Sequence, residues 1–237
     1  MKFGISIGAR GLGRGNNEPA ELVRYVQAAE SAGVHYAWSA ESWGRDAVTP
    51  LAYLAAVTKS ITLGPGIMQI TARTPSMTAM TALSLNELAP GRFVLGLGVS
   101  GPQVVEGLHG VPFNPALTRL RETVAIVRKA VAGERLEHDG KVFQLPLPGG
   151  QGKALRIDHA HDPKMRIFLA TLGPNALEFT GESADGWLGT SFSPNFADAH
   201  LSFIKKGAAS AGRSIDDIEI QASANVAVTD DVEPVVA

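Results

Sequence analysis

The sequence predicts an α/β fold of the TIM (β/α)8 barrel type, and three features carry that expectation. Short apolar strands alternate with amphipathic helices, and the strands begin near residues 3, 34, 61, 93, 167, 185 and 218. Most of these starts are separated by roughly the ~30 residues of one strand–helix unit. No reversal interrupts the alternation, so repeated right-handed crossovers would lay the strands parallel in a barrel rather than an open sheet. Seven strands are found in the 237 residues. The usual barrel needs an eighth, so the expectation is a barrel truncated after strand 7.

Each element has its own signal. Phe3, Gly4, Ile5, Ser6 and Ile7 form the first apolar strand. Asn16 or Asn17 can cap a helix with Pro19 in its first turn, an apolar stripe of Leu22, Tyr25, Val26, Ala29 and Ala32, and Gly33 at its end. Residues 34–39 form the second strand, 48–58 the second helix and 61–67 the third strand. Thr74-Pro75 is a cap and first turn for a helix reaching Leu88, and residues 92–98 form the fourth strand. Leu117, Leu120, Val124, Val127 and Val131 mark the buried stripe of the fourth helix. Residues 134–162 then lose the helical period and read as an insertion between helix 4 and strand 5, with a hairpin turn at Asp139-Gly140. Alternation resumes with a strand over 166–170, a helix from Pro174, a strand over 186–189, a helix over 194–211 and a strand over 218–228. A last helix would begin at Asp231. The whole of 1–237 is expected to be one barrel domain.

Composition narrows the function. A hydrophobic fraction of 45% suffices for a sizeable core, and a formal net charge of −2 gives no broad attraction to nucleic acid or anionic membrane. The absence of cysteine excludes disulfides, thiolate metal sites and cysteine nucleophiles. No run reaches the ~18 apolar residues of a spanning helix. The start at Met1-Lys2-Phe3-Gly4 lacks a signal-peptide pattern, so a soluble cytoplasmic protein with a small-molecule substrate is expected. The unpaired edges of a barrel short of one strand also lead us to expect a homodimer or other self-association.

Several motifs fall at strand ends, where barrel enzymes place their chemistry. Gly96-Leu97-Gly98-Val99-Ser100-Gly101 matches a dinucleotide fingerprint formally, but Pro102 follows and the next helix is expected only near Ala116. A glycine-rich loop that lets a flat ring and a phosphate chain approach the backbone is the better reading. Thr171-Leu172-Gly173-Pro174-Asn175-Ala176 joins a strand to a helix start, which suits either a phosphate or an ordinary turn. Leu63-Gly64-Pro65-Gly66-Ile67-Met68 suggests a bulge that could press backbone against a ligand, or a simple strand terminator. Trp38-Ser39-Ala40-Glu41-Ser42-Trp43 places Glu41 where an acid or base could act. His159-Ala160-His161-Asp162 has metal-ligand residue types but no rigid frame, and reads as a solvated loop with no metal.

Taken in order, these segments resemble the luciferase-like superfamily, and within it the deazaflavin branch that uses coenzyme F420. The resemblance covers nearly the whole chain. Its specific parts are Leu63 to Ile67, Pro90 to Gly101, and Gly173-Pro174-Asn175-Ala176-Leu177 with Ala184-Asp185-Gly186-Trp187-Leu188. It implies a cofactor at the C-terminal face of the barrel, with a non-proline cis peptide between Gly66 and Ile67 behind the ring. It implies that Gly98, Val99, Ser100 and Gly101, and the loop from Thr171 through Leu172, Gly173, Pro174, Asn175 and Ala176, hold the ribityl-phosphate tail. Glu41 matches an acidic position near the reactive ring carbon, where it would handle or steer a proton. The implied activity is hydride transfer between an organic substrate and F420. The alternatives are an FMN-dependent monooxygenase and a catalytically silent flavin-binding barrel. Ser42 stands where light-emitting relatives carry histidine, and Pro102 stands near the place of a glutamate found in sugar-phosphate relatives. Neither bioluminescence nor sugar-phosphate oxidation is therefore expected.

Overall fold

The computed structural model describes residues 1–7, 19–190 and 192–224. The cap at Asn16 or Asn17, the outer part of the seventh strand with Val226 and Val228, and the helix from Asp231 lie outside the described residues. In chain order the elements are β1 (Gly4–Ser6), α1 (Pro19–Ser31), β2 (Tyr36–Ser39), α2 (Val48–Val57), β3 (Thr62–Pro65), β4 (Met68–Gln69), α3 (Pro75–Leu88), β5 (Leu95–Gly98), α4 (Pro102–Val105) and α5 (Ala116–Val131). They continue with β6 (His138–Asp139), β7 (Gln144–Leu145), β8 (Ile167–Ala170), α6 (Pro174–Ser183), β9 (Gly186–Gly189), α7 (Asp198–Ser210) and β10 (Glu219–Ala222).

Outside the β6–β7 hairpin the described strands all pair parallel. β1, β2 and β3 pair in order, and so do β4, β5, β8, β9 and β10. β3 and β4 are two halves of the third expected strand, separated at Gly66-Ile67, and a bridge from Leu63 to Phe93 ties the first half to the approach of β5. This is the α/β barrel architecture predicted from the alternation. Among the described residues no strand pairing joins β1 to β10. A polar cluster spans that side instead: Glu219 at the start of β10 accepts from Lys2 Nζ at 2.9 Å, from the Tyr36 hydroxyl at 3.0 Å and from Arg166 Nη1 at 3.4 Å.

Alternation along the strands sorts most side chains between two cores, and Trp187 of β9 packs with Leu177, Ile204 and Ala208 in a third cluster under α6 and α7. Ala37, Leu63, Leu95, Leu97, Ile167 and Leu169 join the helix residues Leu51, Leu54, Leu83, Leu120, Val124 and Val127 in the outer core. Tyr36, Val94 and Phe168 form the inner one, with Trp38 and Leu188 packed against them. Tyr36 stacks on Trp38 with ring centres 5.3 Å apart, and Trp38 meets Phe168 at 5.8 Å. Rings of this size fit because facing positions carry no side chain. A Cβ on Gly64 would lie 2.6 Å from the Trp38 ring, and one on Gly186 would lie 2.5 Å from the Phe168 ring; one on Gly96 would lie 2.0 Å from the Pro65 carbonyl oxygen, where β5 passes close to β3.

The structure departs from the sequence reading in a few places. A one-turn helix, α4, starts directly at Pro102 rather than the chain waiting for Ala116; Gly101 O accepts from Val104 and Val105, and both valines are buried. The helix expected over 194–211 is a 3-10 turn at Pro194–Phe196 followed by α7. Tyr25 faces outward, and α1 buries Leu22 and Val26 instead. The hairpin in 134–162 is present as antiparallel β6 and β7. Its turn is held by Glu122 of α5, which accepts from the N–H groups of Lys141, Val142 and Phe143 at 2.8–3.3 Å.

Gly96→Ala should destabilise the fold by about 2 kcal/mol, because its new methyl meets backbone that cannot rotate away. Gly173→Ala, at a position with open space around it, should change stability by less than about 0.5 kcal/mol. Urea midpoints of the two variants check this, and equal midpoints would contradict the packing described.

Candidate functional site

The C-terminal ends of β4, β5 and β8 lie side by side, and β2 ends beside β3 just ahead of β4, because the strands are parallel and paired in register. Every segment singled out for cofactor contact lies on this face. Gly66 and Ile67 sit between β3 and β4, and the peptide bond joining them is cis. Gly66 donates its N–H to Ser39 O at 2.7 Å, and a Cβ on it would lie 3.1 Å from Trp38 Cβ. The bulge therefore rests on the indole that fills the barrel. Ile67 reaches sideways over β5. A Cβ on Gly98 would come within 2.6 Å of Ile67 Cδ1 and 3.5 Å of Ala170 Cβ. The ends of the third, fourth and fifth expected strands thus touch through Ile67, Gly98 and Ala170.

Beyond Gly98 the loop turns through Val99, Ser100 and Gly101 into α4. Ser100 has φ +61°, a left-handed conformation that costs a residue with a side chain ~1 kcal/mol. Gly101 has an open approach, since a Cβ there would meet only the Gln103 side-chain oxygen at 3.5 Å.

The other wall is the turn from β8 into α6. Thr171 is buried, its hydroxyl bonded to Thr180 Oγ1 at 2.7 Å and its carbonyl accepting from Trp187 Nε1 at 2.9 Å. Those bonds fix the base of the loop. Leu172, Gly173, Pro174 and Asn175 are exposed, and Ala176 is half-buried. Gly173 caps α6 without a side-chain hydrogen bond, at φ −75° and ψ 153°, and has nothing within 4 Å of a would-be Cβ. Neither backbone conformation nor packing calls for glycine here. What glycine provides is access to the start of α6, where N–H groups and the helix dipole favour an anion.

Glu41 closes the fourth side. It is buried, and both oxygens are engaged: Arg73 forms a two-pronged pair at 2.8 and 2.9 Å, Gln69 N–H reaches Oε1 at 3.0 Å and Ala47 N–H reaches Oε2 at 3.1 Å. Burial works to raise its pKa. The Arg73 guanidinium and the two backbone donors outweigh burial and hold the carboxyl below its ordinary value. Asp46 extends the arrangement by accepting from Val48 and Thr49 at the start of α2. The sequence reading missed Arg73 and Gln69. The signal available was the demand of a carboxylate at a buried strand end for a cation.

Outside this face, Glu106 accepts from Phe113 N–H at 3.0 Å. His159 pairs with Glu87 at 3.0 Å, and His161 packs against Gly133. Among the described residues no cluster of His, Asp and Glu could hold a metal ion, and no described helix is long and apolar enough to cross a membrane.

The chain is similar to several known proteins. A family model described as luciferase-like monooxygenase matches residues 1–237. A Mycobacterium tuberculosis protein bearing the name of a coenzyme F420-dependent oxidoreductase is 43% identical over 239 residues, covering 98% of this chain and 68% of that protein. The 5,10-methylenetetrahydromethanopterin reductase of Archaeoglobus fulgidus is 32% identical, covering 98% of this chain and 65% of that protein. The solved structure of the coenzyme F420-dependent tetrahydromethanopterin reductase from Methanopyrus kandleri superposes with a TM-score of 0.83 at 25% identity, over 98% of this chain and 68% of that one. The chain spans about two thirds of the length of these relatives.

A carboxylate whose folded pKa is depressed contributes stability that is complete above its ordinary pKa of 4.5 and is lost as pH falls through the depressed value. Arg73→Ala should cost about 3 kcal/mol near pH 7, because it leaves Glu41 buried beside only neutral donors. The gap between wild type and variant should narrow as pH falls below 4.5. Chemical denaturation across pH measures it, and a gap that is constant with pH would show that the ion pair is not its source.

Proposed function

The chain belongs to the luciferase-like monooxygenase family, and on that footing we propose that it is a coenzyme F420-dependent oxidoreductase that moves a hydride between an organic substrate and the deazaflavin at the C-terminal face of the barrel. The observation that carries this reading is the convergence of the Gly66-Ile67 bulge, the Gly98–Gly101 loop and the open start of α6 on one face. The relatives of known name in the deazaflavin branch support the choice of cofactor.

The residues present fit such a group. Gly101 and Gly173 leave open approaches on two sides, and the start of α6 carries no capping side chain to compete for a phosphate. Gly66 and Ile67 supply a backbone surface, backed by Trp38, on which a flat ring can lie. Bound there, F420 supplies a ring carbon that accepts or releases hydride. The protein's share is then orientation. Glu41 is assigned a positioning role rather than the proton-handling role expected from sequence, since all four of its hydrogen bonds are internal and its charge is stabilised. It holds Arg73, the start of α2 and β4 in fixed relation beside the bulge. We further read 1–237 as one barrel domain carrying 134–162 as an insertion, supported by the packing of Leu136 and Ile157 on the same core as the barrel strands.

Titration of the purified chain with F420 and, separately, with FMN under anaerobic conditions tests the reading. F420 should bind the wild type in preference to FMN. Gly173→Asp should weaken F420 binding at least about tenfold, by placing a negative charge where the phosphate would lie, while leaving the melting temperature nearly unchanged. Unaltered affinity in the variant would remove the start of α6 from the site, and preference for FMN would move the chain to the flavin branch.

A further inference from the structure

A cavity opens at the N-terminal ends of the strands, at the other end of the barrel from the Gly66-Ile67 bulge. Its volume is about 330 Å³, and its lining includes Lys2, Glu30, His35, Tyr36, Thr62 and Arg166. That size falls at the lower end of the roughly 300–1,000 Å³ of small-molecule sites. The charges around it do not balance. Lys2 Nζ and Arg166 Nη1 share one oxygen of Glu219, at 2.9 and 3.4 Å, and the Tyr36 hydroxyl donates to the same oxygen at 3.0 Å. The second Glu219 oxygen accepts from Gln221 Nε2 at 2.7 Å. Two cations therefore face one carboxylate. Glu30 is already matched where it stands, since its Oε1 accepts from the N–H groups of Lys59, Ser60 and Ile61 at 2.6–2.9 Å.

Donors at the cavity are also left open. Among the described residues Arg166 bonds through Nη1 alone, to Tyr36 and Glu219, which leaves Nε and Nη2 of the guanidinium fork unengaged. The guanidinium packs over the rings of Tyr36 and Phe168, whose centres lie 5.9 and 5.7 Å away, so the fork is held in place. His35 accepts from Phe3 N–H through Nδ1 at 3.3 Å, which puts its ring proton on Nε2 as a further donor. Lys2 with Glu219 suffices to tie the first strand to the last described one, and the second cation beside an open cavity is in excess of that need.

We propose that this cavity binds a small organic anion, with its carboxylate or phosphate group on the Arg166 fork and Lys2, and its body in the space lined by His35 and Thr62. A planar fork with two open donors suits two-pronged recognition of either group. The site is distinct from the start of α6, to which the cofactor phosphate is assigned, and it does not depend on the cofactor reading.

Isothermal titration calorimetry at low ionic strength tests this, with inorganic phosphate, acetate and succinate as probes. The protein carries Gly173→Asp throughout, so that the start of α6 is closed to anions. At least one probe should bind with Kd below about 10 mM. Lys2→Gln and Arg166→Gln should each weaken that binding at least about tenfold, whereas Lys153→Gln, the same loss of charge at an exposed lysine of the insertion, should leave it unchanged. Binding of phosphate alone supports the proposal with a phosphate monoester as ligand, and binding of acetate or succinate supports it with a carboxylate. Lys2 is half-exposed, so Lys2→Gln should melt within about 3 °C of its parent and keeps the test decisive if Arg166→Gln does not fold. Absence of binding by every probe at about 10 mM would overturn the proposal. So would affinity unchanged in Lys2→Gln, or an equal loss in Lys153→Gln, which would reduce the effect to diffuse attraction.

Discussion

Four hydrogen bonds to one carboxylate hold the face of the barrel on which everything else is arranged. Glu41 leaves the end of β2 and is tied to the loop before α2, to the backbone of β4 and to Arg73 beyond it. These partners are separated by as many as 32 residues in sequence, and no strand ladder connects them. Besides the carboxylate, the second half of the third strand is held by its short pairing with β5, by the Gln69 side chain on Ser42 O and by the burial of Met68 and Ile70. A bidentate arginine pair fixes direction as well as distance, so the clamp orients the segment that contains Gln69 and follows the bulge.

Beneath that clamp the interior of the barrel has an unequal division of volume. β2 and β8 contribute the large rings, Trp38 and Phe168, while β3 and β9 face them with Gly64 and Gly186. A packed interior of this kind transmits position from one strand to the next. Trp38 supports Gly66 from below, Ile67 leans over Gly98, and Gly98 abuts Ala170. The same contacts that fill the barrel thereby set the relative heights of the segments assigned to cofactor contact. At the other end, Glu219, Lys2, Tyr36 and Arg166 form a separate polar cluster. Burial acts to raise the Glu219 pKa, but its bonds to Lys2, Tyr36 and Gln221 hold the carboxyl below its ordinary value.

Much of this was legible in the sequence because it depends on local pattern. Thr74-Pro75 announced the start of α3, and the structure has the Thr74 hydroxyl accepting from Met77 N–H. The Asp139-Gly140 turn announced the β6–β7 hairpin, and the apolar stripe of α5 was read directly. The glycine positions were visible too, but their reasons differ. Gly64 and Gly96 serve the packing of the barrel, whereas Gly173 has open space around it, and sequence alone does not separate these cases. What stayed hidden depends on contacts between distant residues. Arg73 and Glu41 share no periodic relation, and the cluster around Glu219 joins residues from opposite ends of the chain. The α4 turn was overlooked because four residues are too few to show a period.

We propose that one barrel face, clamped by Glu41 and floored by Trp38, holds a deazaflavin ring against the Gly66-Ile67 bulge. A crystal structure of the chain with F420 tests it most directly. The expected density has the ring lying on Gly66 and Ile67, with its phosphate at the start of α6. Density for the ring away from the bulge, or at the opposite end of the barrel near Glu219, would contradict it.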